Sequence, residues 1–235
     1  MRSLIEIPGR TGFGAREEPI RTLGVALGLS LAGVIVGGVS AVTVPTIYGA
    51  VVPRGTFGFD LLQRYLVQPG FALVAMAYIF YRGDFARYVR LRPLSIEGVA
   101  WIASGIVVEW GTRLLSEVAF GATHGNWVPK WTILVADPTT IPLALVVIFV
   151  VMAPAEELLY RGAIHGRLRE GFDVVPRVAA GAILFGVPHL IFSGGLPSFV
   201  VTSVTGLWFA TAYERTDNLV VPIGMHGVIW LLAPL

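Results

Sequence analysis

TIPLALVVIFVVMAPAEELLYRG, residues 140–162, decides how the chain is read. No charge interrupts the stretch from Ile141 to Ala155, and two adjacent carboxylates, Glu156 and Glu157, follow before Arg161. A run of this kind approaches the ~20 apolar residues that cross the ~30 Å hydrocarbon core of a bilayer. On a helix, Glu157 and Arg161 stand four apart, share a face and can pair. Glu156 projects about 100° away from Glu157, given ~3.6 residues per turn. One carboxylate is thus neutralised while its neighbour stays available as a base or a ligand. The same pattern also suits a plain ion pair ending a span at the membrane interface, and the residues alone leave both open.

The rest of the chain resembles this stretch. It is 55% hydrophobic and 14% charged, with a mean hydropathy of +0.74, against about 25% charged residues in a soluble domain. Further apolar runs extend over about Leu23 to Val52, Leu61 to Tyr81, Ile96 to Phe120, Val178 to Phe192, Pro197 to Tyr213 and Leu219 to Leu235. The expectation is an all-α, polytopic transmembrane helical bundle of about seven spans. Residues 1–22 read as an N-terminal cytoplasmic or interfacial segment without a signal-peptide pattern. Residues 23–235 read as a single transmembrane helical domain. Gly24, Gly28, Gly33 and Gly37 on the first run suit close helix packing, and Pro69-Gly70 should bend the second.

Arginines fix the orientation. Arg10, Arg16 and Arg21 precede the first run, Arg82 to Arg92 follow the second, Arg161 to Arg177 lie between the fourth and fifth, and Arg215 follows the sixth. With seven spans, all of these fall on one side. A multi-pass protein of the cell membrane with a cytoplasmic N-terminus is expected. The net charge of +2 comes from 16 Arg and one Lys and implies no nucleic-acid partner; the partners expected are the lipid bilayer and a peptide or membrane-protein substrate. With no cysteine, thiol chemistry and disulfides are excluded.

Ionisable groups inside a membrane are costly and point to function. Besides Glu156 and Glu157, His189 follows Pro188 in Phe185-Gly186-Val187-Pro188-His189, where the proline should loosen the helix. His226 lies in Met225-His226-Gly227-Val228-Ile229-Trp230. Each histidine alone could serve packing. A carboxylate pair and two histidines on three runs are better explained by one shared polar site. Glu109, Arg113 and Glu117, spaced i, i+4, i+8, read as a self-neutralising, structural or cavity-lining ladder; His124 and His165 read as loop and interface residues. A transporter is disfavoured, since no inverted repeat or pair of broken helices is evident.

Glu156-Glu157-x-x-x-Arg161, Phe185-x-x-x-His189 and the late His226, all within residues 153–235, resemble the three motifs of the CAAX protease and bacteriocin-processing (CPBP, or Abi) family, which includes the Ras-converting CAAX prenyl endopeptidases. The resemblance implies an intramembrane endopeptidase hydrolysing a peptide bond near the cytoplasmic side of the bilayer. In it Glu156 acts as general base on a water, His189 orients that water, and His226 donates to the developing oxyanion. Glu157, Arg161 and Phe185 support the site. The third motif departs from the family, which has Asn or Asp four residues after the histidine where this chain has Trp230. An indole offers a donor but no acceptor, so the alternative is a catalytically weak or inactive member acting as an immunity or scaffold membrane protein. The cofactor is left open: a metal-free mechanism is favoured, while Glu156, His189 and His226 would be the ligands if a zinc ion were bound.

Overall fold

The computed structural model describes residues 18–48, 67–121, 138–192 and 194–232, and among these every regular element is helical. The helices are α1 (Pro19–Tyr48), α2 (Gln68–Arg82), the single turn α3 (Phe85–Tyr88), α4 (Ile96–Phe120), α5 (Ile141–Leu168), α6 (Val174–Phe192), α7 (Gly195–Thr216) and α8 (Val220–Leu232). Most of the N-terminal segment expected over residues 1–22, and His124 with it, lies outside the described residues.

Among the described residues, four helices are long and apolar enough to cross a membrane: α1 over Pro19–Thr43, α5, α6 and α7. The seven-span expectation is not reached on that measure. α2 has 15 residues and α8 has 13, short of the ~20 a perpendicular crossing needs. α4 is 25 residues long but carries Glu97, Glu109, Arg113 and Glu117. Pro69 does not bend the described part of α2, because it sits in the first turn, where its missing N–H costs nothing.

The radial pattern is inverted relative to a soluble bundle. Ile35, Leu73, Val107, Val118, Val150 and Ile191 point outward, each more than half exposed, while Glu109, Glu156, Glu157, Arg161 and His226 are buried. Lipid satisfies the outward side chains and the bundle interior must satisfy the charges. Helix pairs approach through glycines. A Cβ at Gly70 would land on the backbone of Val36 and Gly37, so α1 and α2 cross in backbone contact there. Of the predicted stripe, Gly37 packs against Val67 and Gly33 against the Leu159 and Phe71 side chains, whereas Gly24 and Gly28 face open space. A Cβ at Gly206 on α7 would stand 2.9 Å from the Phe185 ring on α6.

Seven of the described arginines gather at one end of the bundle. Arg82, Arg87 and Arg167 pair with Glu170, Arg169 and Arg177 with Glu214, and Arg90 and Arg92 with Asp217. Burial first, and the Tyr78 and Glu170 groups next, hold the Tyr88 phenol well above its ordinary pKa; it stays a donor to Glu170, 2.9 Å away. His165 is buried in the bundle, 1% exposed, with Nε2 2.6 Å from Glu214 Oε1. Asn218 ties residue 92 to the start of α8, its amide donating to the Arg92 carbonyl (2.9 Å) and its oxygen accepting from Arg92 N and Val220 N.

Candidate active site

Helix α5 carries the carboxylates on a distorted backbone. Two π-helical segments, Val147–Met152 and Leu158–Ile164, bracket the α-helical turn Ala153–Glu157. Pro154 explains the first: its ring lacks an N–H and crowds the carbonyl four residues back. The neighbouring Ala153 N–H reaches Ile148, one residue farther than in an α-helix. Such widenings recur at functional sites.

Glu157 is fully buried, and its Oε1 is the centre of a hydrogen-bonded network. Arg161 Nη1 donates to it at 3.1 Å, as the spacing predicted, and Arg161 Nη2 donates to the Gly206 carbonyl at 3.1 Å. His226 Nδ1 lies 2.8 Å from Glu157 Oε1; a carboxylate so paired only accepts, so Nδ1 carries the hydrogen. Trp230 Nε1–H then donates to His226 Nε2 at 3.0 Å. The i, i+4 position that departs from the family motif therefore caps the ring nitrogen that faces the site, and that nitrogen is 3.8 Å from Glu156 Oε2.

Phe185 is the apolar hub. Its ring centroid is 5.0 Å from Tyr160, 5.7 Å from His189 and 5.9 Å from His226, with the Arg161 guanidinium 4.4 Å over its face. His189 is half-buried one turn on, its Nδ1 3.2 Å from the Phe185 carbonyl. A carbonyl only accepts, so Nδ1 is the donor and Nε2 is left as an acceptor.

Glu156 turns away from this network toward a cavity of about 570 Å³ lined also by Val34, Gly38, Val67, Gln68, Phe71, Tyr160, Pro188, His189, Phe192 and Trp230. Gln68 went unnoticed in the sequence; it is 6% exposed, and its Nε2 donates to Glu156 Oε1 at 2.9 Å. The signal for it was an amide inside the apolar run Leu61 to Tyr81. Glu109 is held by Arg113 (2.7 Å) and by the Thr205 hydroxyl of α7, a tie between helices that the expected ladder did not include.

The zinc alternative does not fit this arrangement. Among the described residues no group of three His, Cys, Asp or Glu converges to hold a metal ion. Both ring nitrogens of His226 are engaged, one by Glu157 and one by Trp230.

Fold and site together define a multi-helix membrane protein with a buried carboxylate and one histidine lining a cavity and a second histidine beside that carboxylate. Residues 138–232, which contain all three motifs, match the family model described as type II CAAX prenyl endopeptidase, Rce1-like; residues 1–137 lie outside the match. That match agrees with the resemblance read from the motifs. No curated protein and no solved structure matches the chain.

Proposed function

We propose that this chain is an intramembrane endopeptidase of the wider CAAX protease and bacteriocin-processing grouping, with Glu156 as general base. The observation that carries the reading is the Glu156 carboxylate, buried and facing a cavity whose wall also bears His189, within a stretch matched by a peptidase family. A water in that cavity brings two hydrogens, and Glu156 and His189 Nε2 are two acceptors for them. Glu156 takes one proton as the water oxygen bonds to the scissile carbonyl carbon, and returns it to the departing nitrogen as the C–N bond breaks. Base catalysis of this kind contributes typically 10²–10⁴-fold. The oxyanion needs a donor. The Trp230 indole N–H already points at the cavity side of His226, and a substrate carbonyl oxygen would replace Nε2 as its acceptor. His226 assists once protonated, with Glu157 against its other nitrogen.

In this reading α2, α4 and α8 complete seven crossings around the four long apolar helices, residues 23–235 form one transmembrane unit, and the arginine-rich end is cytoplasmic. In it the cut lies near the cytoplasmic, arginine-rich side of the bilayer. A second reading, a weak or inactive member serving as an immunity or scaffold protein, draws on the Trp230 cap over His226.

The experiment is cleavage of a mixed peptide library by the purified protein in detergent, read by mass spectrometry, for wild type and Glu156→Gln. Cleavage by wild type that disappears in the folded variant supports the peptidase. Cleavage that survives the substitution, or none by a folded wild type, rejects it.

A further inference from the structure

Gln68 holds a place that neither the motifs nor the family match assigns. It is the first residue of α2 and its position is set by the backbone contact of Gly70 with Gly37. The two ends of its amide are distinguishable, because ionised Glu156 can only accept and so must face the NH₂ group. The carbonyl oxygen of Gln68 is then turned away from Glu156. It is buried and has no hydrogen-bond partner, and the residue lines the cavity. A buried acceptor left unpaired carries a desolvation cost, which a donor supplied by a ligand would remove.

Counting acceptors identifies that donor. A lytic water is served by Glu156 and by His189 Nε2, so it does not need a third acceptor. A peptide brought into the cavity carries backbone N–H groups, each of which is costly to bury unpaired. We propose that Gln68 is a substrate-binding residue: its side-chain carbonyl accepts a backbone N–H of the peptide beside the scissile bond while its amide N–H holds Glu156. The same side chain would then register the peptide main chain against the base, independent of the substrate's side chains. This inference rests on the peptidase reading of the same site.

The test uses the full chain and its best-cleaved library peptide, made as a series in which each backbone N–H flanking the cut is replaced in turn by an ester oxygen. kcat and KM are measured for wild type, Gln68→Leu and Gln68→Met. At one position the ester should lower wild-type kcat/KM about tenfold, the size of one buried hydrogen bond, and should cost the two variants nothing further. Intrinsic ester reactivity cancels in this comparison. If every ester costs all three enzymes equally, Gln68 does not bind the main chain. If no position matters even to wild type, the inference fails without any variant. Wild-type cleavage that persists in Glu156→Gln instead removes the peptidase reading itself, whatever the esters do.

Discussion

Replacing Arg161 by Met should unfold this protein more readily than almost any other single change in the site, and the structure sets the size of the loss. The guanidinium is 2% exposed. It makes one bond to Glu157 and one to the Gly206 carbonyl and lies over two rings, Phe185 at 4.4 Å and Phe209 at 5.1 Å. A methionine keeps much of the apolar stem and loses the charge. Glu157, with no exposure at all, would remain as a buried carboxylate with only His226 beside it. Breaking a buried pair from one side costs about 3–5 kcal/mol, which for a chain of this length lowers Tm by about 10 °C. Removing both charges is milder, because no orphan is left: Glu157→Gln combined with Arg161→Met should recover about half of that loss. Thermal unfolding of the purified protein in detergent, followed by circular dichroism, reads both variants. A single variant within about 1 kcal/mol of wild type, or a double variant worse than the single, would refute the claim that Arg161 exists to neutralise Glu157.

Three further outcomes follow from the same geometry. Trp230→Phe keeps an aromatic ring and removes the N–H that caps His226; peptide cleavage should fall by roughly 10²-fold if the indole serves the oxyanion, in line with one lost donor, and a rise in kcat would show that the indole instead holds the site shut. Gly70→Val places side-chain atoms on the Val36–Gly37 backbone, so α1 and α2 must part; a Tm decrease and a loss of kcat/KM are expected together, and unchanged kinetics would mean that Gln68 does not depend on this crossing. Because His226 has both nitrogens engaged, Glu156-dependent cleavage should survive exhaustive chelation, and elemental analysis should find zinc well below one per chain; restoration of lost activity by added zinc would contradict this.

The sequence made some of these features legible and concealed others for identifiable reasons. The apolar run Ile96 to Phe120 matches the bounds of α4, and the structure supplies the cause: Ser95 caps its start, accepting from Gly98 N, and Gly121 closes it at a φ of 59°. The start of α6 was placed late, at Val178 instead of Val174, because Arg177 reads as a loop charge; it is in fact 2% exposed and paired with Glu214 across the bundle. The contact of His165 is hidden for the same reason, its partner being the same distant glutamate. Contacts at i, i+4 such as Glu157–Arg161 follow from helical periodicity alone. The bond from His226 to Glu157 and that from Gln68 to Glu156 cross between helices far apart in sequence, and no periodicity within one helix can announce them.

The cavity has two parentages. Glu156, His189 and Trp230 come from the stretch that matches the peptidase family, whereas Val34, Gly38, Val67, Gln68 and Phe71 come from helices outside it. Chemistry and fit are therefore carried by different lengths of the chain, and they can drift at different rates. A chimera that keeps residues 138–232 and borrows its first two helices from a relative would retain the reacting groups but meet a differently shaped guest. Gly38 is the economical place to begin, because a Cβ added there meets nothing within 4 Å, so an alanine would narrow the cavity wall without a clash.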